Sequence, residues 1–280
     1  MATAQEIANL VLLWNDAVTE IPSVVISAHS TETAGFVAEN LLDVNRQNVF
    51  SASPGGYPAD NVHVEFDLLS ATAIKGFALL NHNMGTRGVS TCTIRADNST
   101  PATTARASFS VSAVCGDDDF FMAFTATQTY RYWRVEWDSV DAAALYMGRV
   151  FLAQDLYDCG TSIRVGAQKG WQSSVEILTT PGGVEHRFAR GSRRKMLSAT
   201  LPNQTGITTI RTQVNNLVEH VEVQEKPFVH SWPYGSSVGV LGSATLYGMA
   251  VHARFISPEY LETLMVATGV EIPFNTIEVL

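Results

Sequence analysis

Cysteine is scarce in this chain. Three residues in 280, Cys92, Cys115 and Cys159, show no Cys-x-x-Cys spacing, so neither a disulfide framework nor a zinc knuckle is encoded. Long apolar runs are missing too: Leu10 to Trp14 falls far short of the ~20 residues a membrane-spanning helix needs. Charge is thin, at 16% of residues, and basic charge is thinnest in the first half. Residues 1–155 carry 8 Lys/Arg against 17 Asp/Glu, whereas 156–280 carry 10 of each, for a net charge of −9. An acidic first half argues against a nucleic-acid groove, and equally against an anionic membrane surface. The N-terminus has no basic segment ahead of its apolar run. The expectation is a protein without signal peptide or anchor, made in a reducing cytoplasm and released by lysis or on a particle.

Catalytic constellations are also missing. Gly235-Ser-Ser-Val-Gly239 has the spacing of a nucleophile elbow, but no Asp or Glu lies between Ser237 and the one later histidine, His252, so the serine, acid, histidine order fails. His63-Val-Glu65 echoes the His-x-Glu of zinc deaminases without the Pro-Cys-x-x-Cys that completes such a site, and reads as a solvent-side pair on a strand. The seven histidines form no His-Glu-x-x-His. Asp117-Asp-Asp119 offers hard oxygen ligands, so a structural calcium is the one cofactor reading, set against three solvated carboxylates. No carboxylate pair is nominated for glycosidase chemistry. The expectation is a non-enzyme with neither catalytic nor dedicated metal-ligating residues.

What is present is β pattern. Asn61 to Leu68 and Tyr130 to Trp137 alternate apolar and polar residues with aromatic and β-branched side chains, the signature of half-buried strands. Leu145 to Ala153 is a third strand, broken by Gly148, which can mark a bulge. Further strands are expected at 24–27, 73–80, 91–96 and 120–124, with a short helical or extended staple at 38–43. Residues 97–119 read as one long excursion. Pro54 to Pro58 and Asn81 to Gly88 read as loops. The pattern restarts after residue 155–160, giving domains 1–157 and 158–280. The second holds strands near 162–167, 173–178, 184–188, 195–201, 244–255 and 270–280, an extended segment at 226–233, and one helix near 205–221. That helix carries Ile207, Ile210, Val214, Leu217, Val218 and Val221 on one face, with Thr205 or Thr208 as its cap.

The succession of an apolar strand ending in Asp67-Leu68, long loops, Arg131-Tyr-Trp-Arg-Val135 and Gly148-Arg-Val-Phe-Leu152 resembles the discoidin, or coagulation-factor type C, family. The resemblance implies an N-terminal jelly-roll β-sandwich. In the second half, Arg193-Arg-Lys195 leading into Met196 to Leu201, one helix, Lys226-Pro-Phe-Val229, Leu246-Tyr-Gly-Met249 and the ending Ile277-Glu-Val-Leu280 resemble distal-tail and tail-tip proteins of long-tailed bacteriophages. The fold class expected is mainly β: a discoidin-like sandwich followed by a second β-rich (α+β) domain with one main helix.

These resemblances imply a virion structural protein of a tail tip, assembling as a ring from copies of itself with other tail proteins, its jelly roll either docking to neighbours or touching host-surface carbohydrate through the 54–58 and 81–88 loops. Neither nucleic-acid binding nor membrane insertion is expected. Tyr57, His82, Asn83 and Arg87 are the ligand-binding candidates. Arg190, Arg193, Arg194 and Lys195, the one basic cluster, together with Trp232 and Tyr234, are the subunit-interface candidates; the plainer reading of the cluster is an exposed strand entrance. A stand-alone carbohydrate-binding module is the alternative, and a glycan-degrading enzyme ranks third.

Overall fold

The computed structural model describes residues 9–53, 61–89, 91–100, 102, 106–112, 116–138, 144–162, 168–172, 175–179, 185–189, 194–201, 207–221, 226–231, 239–241, 244–255 and 272–279. The chain forms two compact units, Met1–Cys159 with Val229–Val251, and Gly160–Phe228 with His252–Leu280. The first sequence half holds β1 (Asn9–Asp16), α1 (Ala17–Glu20), β2 (Val25–His29), a 3-10 turn (Ala38–Leu42), β3 (Phe50–Ala52), β4 (Val62–His82), β5 (Thr91–Asp97), β6 (Ala107–Ser112), β7 (Phe120–Trp137) and β8 (Leu145–Ser162). Then come β9 (Gln168–Gln172), β10 (Val175–Thr179), β11 (Glu185–Ala189), β12 (Arg194–Leu201), α2 (Ile207–His220), β13 (Phe228–Ser231), β14 (Gly239–Leu241), β15 (Ala244–Phe255) and β16 (Ile272–Glu278).

Two long strands organise the first unit. β4 and β7 pair antiparallel from Val62 opposite Trp137 to Leu79 opposite Phe120, and both bend midway, where the register shifts between Asp67 and Thr72. The sheet therefore folds over on itself. One layer joins the first part of β4 to β2 and the last part of β7 to β5 and β6. The other joins the second part of β4 to β8 and the start of β7, with β15 pairing the start of β7 and β13 pairing β1. At the bend, Leu69 takes the left-handed conformation (φ 66). Its N–H is held by Asp67 Oδ1 at 2.7 Å, and Arg131 donates two bonds of 2.6 Å to the same carboxylate.

The alternation in the sequence now has its cause. Val62, Val64, Phe66, Ile94, Trp133, Val135 and Trp137 of one layer face Phe77, Leu79, Phe120, Met122, Val150 and Leu152 of the other in one core. Phe109 stacks on Phe124 (4.2 Å) and Phe124 on Trp133 (5.9 Å), geometries that add to the area each ring removes from water. The second layer is apolar on its other face as well, through Val11, Leu13, Ala78, Leu80, Phe121, Phe151 and Val229. This is why Leu10 to Trp14 shows no alternation: every one of its side chains is buried. β1 ends where Asp16 caps α1, accepting Val18 N–H (3.1 Å) while its own N–H goes to Glu20 Oε1 (3.0 Å), a reciprocal cap. Arg149 donates to Asp16 Oδ2 at 2.7 Å, a fully buried ion pair that ties β8 to the same turn.

In the second unit β12 is flanked by β16 and β9, Met196 lying opposite both Ile277 and Gly170. β10 and β11 form an antiparallel pair. α2 buries Val214, Leu217 and Val218, with Val221 buried just past its end, four residues of the expected face. Thr208 lies inside the helix and is not its cap, while Thr205 lies outside the described residues. Two readings of the first half change. The 97–119 stretch is not one excursion, because its Ala107-Ser-Phe-Ser-Val-Ser112 pairs with β5 as β6. His63 and Glu65 do share a strand face, but that face is buried (3% and 0% exposed).

Candidate binding site at the loop-bearing end

The strand register collects the connections of the sandwich at one end. Val62 and Cys92 both lie opposite Trp137, Thr91 opposite Ser112, and Ala52 opposite Leu145. With His82 opposite Met147 and Met84 bonded to Trp137, strands β3, β4, β6 and β7 all end there, at Ala52, His82, Ser112 and Trp137. Loops borne on a rigid sheet are where such folds place recognition.

The 83–89 loop is locked on both sides. It turns through Arg87 N–H to Asn83 O (3.0 Å) and Val89 N–H to Met84 O (3.0 Å). Met84 is buried and its sulfur accepts the Trp137 indole N–H at 3.2 Å, anchoring the loop in the core. Across the loop, Gly85 N–H bonds Gly116 O at 2.8 Å, and a Cβ on Gly85 would lie 2.6 Å from the Gly116 carbonyl carbon, so this approach requires glycine. Thr86 donates its N–H (2.9 Å) and its hydroxyl to the Asp117 carboxylate. Burial works to raise the Asp117 pKa, but the bonds from Thr86 and Gly85 hold it below the usual carboxylate range.

A second knot fixes the neighbouring chain. The buried Arg46 guanidinium pairs with the buried Asp119, whose other oxygen takes Asn81 N–H at 2.7 Å. Asn81, in the left-handed region (φ 54), donates its side-chain amide to Arg46 O at 2.7 Å. That carbonyl lies over Gly148, where a Cβ would meet it at 1.9 Å. Met147 and Val150 both face the core, so the facing of β8 slips by one residue across Gly148. The glycine in the strand pattern is thereby explained.

His82 and Asn83 serve the scaffold. Both are buried (3% and 4% exposed). His82 Nδ1 accepts Met84 N–H (3.4 Å) and its ring meets Phe120 edge-on (5.7 Å). Burial pushes its pKa below the ordinary value, against the pull of Asp119 and the carboxylates beside it. Asn83 accepts Tyr146 N–H (2.9 Å) and donates to Ala144 O (3.4 Å), clasping the loop to β8. The groups open to solvent on this rim are Thr86, Asp117 and Asp118, with half-buried Arg87 and, beside Asn83, the exposed Tyr146. They are donors, acceptors and one aromatic ring, the inventory that a polyhydroxylated ligand uses. Asp117 and Asp119 are engaged separately, and among the described residues no three His, Cys, Asp or Glu side chains converge as a metal site. Tyr57, Arg190, Arg193, Trp232 and Tyr234 lie outside the described residues, as do the elbow residues 235–238. Arg194 and Lys195 stand half-buried at the start of β12.

A second polar cluster was not legible in the sequence. On the outer face of the first layer, Glu65 accepts Ser27 Oγ (2.8 Å), Thr100 Oγ1 (2.6 Å) and Ala102 N–H (2.7 Å). Glu136 takes Arg95 (2.8 Å) and Arg134 (2.7 Å), and His63 Nδ1 pairs with Ser30 Oγ (3.0 Å). Burial, then the Arg134 charge, bring the His63 pKa from 6.5 down to about 4, with Glu136 acting in the opposite direction. These side chains occupy the polar positions of ordinary alternating strands. The only signal in the sequence was their density of opposite charges on adjacent strands.

Strand order and core define the first unit as a β-sandwich with a preorganised loop-bearing end. No protein-family profile and no curated protein matches the chain. Solved structures do resemble it in part. The lectin domain of lectinolysin complexed with Lewis B antigen is 17% identical, covering 50% of this chain and 97% of that one, with a TM-score of 0.40. A fucose-binding module from Streptococcus pneumoniae is 17% identical (50% and 96% covered, TM-score 0.39). The module CBM32-1 from a family 31 glycoside hydrolase of Clostridium perfringens is 14% identical (48% and 96% covered, TM-score 0.39).

Proposed function

We propose that the sandwich is a non-catalytic glycan-binding module whose ligand sits on the rim formed by Thr86, Arg87, Asp117 and Asp118. The observation that carries this reading is the double locking of that rim. Thr86 and Gly85 bind residues 116–117, and Met84 is anchored on Trp137, so polar groups stand ready without the ordering cost that weakens binding by flexible loops. The test is direct binding of the full chain to fucose, Lewis b, N-acetylglucosamine and chitin oligosaccharides, with mannuronate oligomers as acidic counterparts. Saturable binding that Arg87→Ala or Asp117→Ala weakens at least tenfold supports the reading; no binding to any of these sugars refutes it.

A second reading concerns the setting of the module. β13 pairs with β1 and the start of β15 with β7, so the sandwich is not a separable N-terminal segment. The other setting is a ring-forming phage tail-tip protein carried on the virion, which differs from a free lectin in assembling with copies of itself. Electron microscopy and light scattering of the purified chain test it: closed rings support it, and a monomer at high concentration overturns it.

A further inference from the structure

Phe36 and Tyr146 are the two large aromatic side chains most open to solvent among the described residues, 43% and 37% exposed. They fall on one strip. Tyr146 lies opposite Ser51 in the β3–β8 pairing, and on its other side Ser51 donates its N–H to Phe36 O at 3.1 Å. The two residues thus flank Ser51, about 10 Å apart by two strand spacings. Between them Ser51 is small and buried, and its hydroxyl reaches Thr33 Oγ1 at 3.4 Å. A polar floor with an aromatic ring on either side differs from a plain apolar patch.

The strip continues the rim. Tyr146 N–H is bonded to Asn83, the first residue of the 83–89 loop, so this part of β8 is tied to the loop that carries Thr86 and Arg87. Charge selects the ligand class. The rim sets Asp117 and Asp118 against one cation, Arg87, and residues 1–155 carry 8 basic against 17 acidic residues, so a polyanionic chain is repelled.

We propose that Tyr146 and Phe36 form an extension subsite that stacks further rings of an uncharged oligosaccharide whose terminal sugar occupies the rim. This inference rests on the glycan reading above. It adds that the ligand is a neutral chain of several sugars running from the loop end over β8 and β3 toward Phe36. Ring stacking on an exposed aromatic contributes roughly three- to tenfold in affinity per contact.

The experiment is calorimetric titration of the full chain with matched pairs, fucose against Lewis b and N-acetylglucosamine against chitin oligosaccharides, with mannuronate oligomers as the acidic chain. The wild type is expected to bind the longer neutral member of a pair about tenfold more tightly than its monosaccharide, and mannuronate oligomers least. Phe36→Ala should reduce that length gain threefold or more with the monosaccharide affinity unchanged, Tyr146→Ala should reduce the gain at least as much, and Tyr146→Phe should retain it. Arg87→Ala should weaken both members equally. Both aromatics are exposed, so their variants should keep the wild-type melting temperature. Equal affinity for short and long members, a gain untouched by Tyr146→Ala, or preference for mannuronate overturns the extension subsite while leaving the rim intact. No binding to any sugar overturns both.

Discussion

Lowering the pH should destabilise the first unit well before Asp67, Asp117 and Glu136 protonate, and His63 is the cause. His63 is 3% exposed, its Nδ1 is hydrogen-bonded to the Ser30 hydroxyl and it lies near the Arg134 charge; burial and that charge hold its pKa at about 4 against 6.5 ordinarily. The unfolded chain therefore takes up a proton as pH falls through 6.5, while the folded chain does not until about 4. Stability is full above 6.5 and declines by up to ~1.4 kcal/mol per pH unit in that window. Between pH 7 and pH 5 the loss works out at about 2 kcal/mol from this one group. His82, also shifted downward, adds to the same slope, so the comparison is with His63→Gln, whose amide can still accept from Ser30. Asp67, Asp117 and Glu136, held below their ordinary values, lose their contributions only at lower pH and stay outside the window. Urea unfolding followed by tryptophan fluorescence at pH 7, 6 and 5 gives the two curves. A wild type that loses about 2 kcal/mol more than the variant over this range supports the reasoning. Parallel curves refute it.

Asp119→Ala removes the carboxylate from a buried Arg46 and the acceptor from Asn81 N–H, and should cost about 3–5 kcal/mol in denaturant unfolding; a loss below 1 kcal/mol would show the knot to be incidental. Leu69→Gly relieves a left-handed leucine that is 45% exposed, and should leave the melting temperature unchanged or raise it, by at most ~1 kcal/mol of stability. Phe66→Ala empties a fully buried ring site between the layers and should cost about 3–5 kcal/mol by the same denaturant assay.

Much of the fold was legible because burial on one face writes a period of two. Val62 to Leu68 and Arg131 to Trp137 fell inside strands paired to each other, and the period of α2 marked its buried face. Where burial is two-sided the period vanishes, and Leu10 to Trp14 looked like a bare apolar run rather than β1. β6 escaped because the serines of Ala107-Ser-Phe-Ser-Val-Ser112 merge with the Ser/Thr/Ala-rich stretch around it, although Ala107 and Phe109 alternate into the core. The candidate site was legible in part. The 81–88 loop was read as a binding loop from its glycines and polar residues, and Arg87 does stand on its rim. That His82 and Asn83 turn inward depends on Met84 finding Trp137 and on Tyr146 needing an acceptor, contacts across 53 and 63 residues.

The sequence by itself determined the β character and the helix. These follow from local period, composition and the order of residue types. Tertiary structure alone decided that residues 229–251 return to the first unit, that the polar face bearing His63, Glu65 and Arg134 is buried, and that Tyr146 and Phe36 share one strip. Each depends on which distant strands lie side by side, and the sheet is indifferent to sequence separation: a strand pairs wherever its hydrogen-bonding edge and apolar face are both matched.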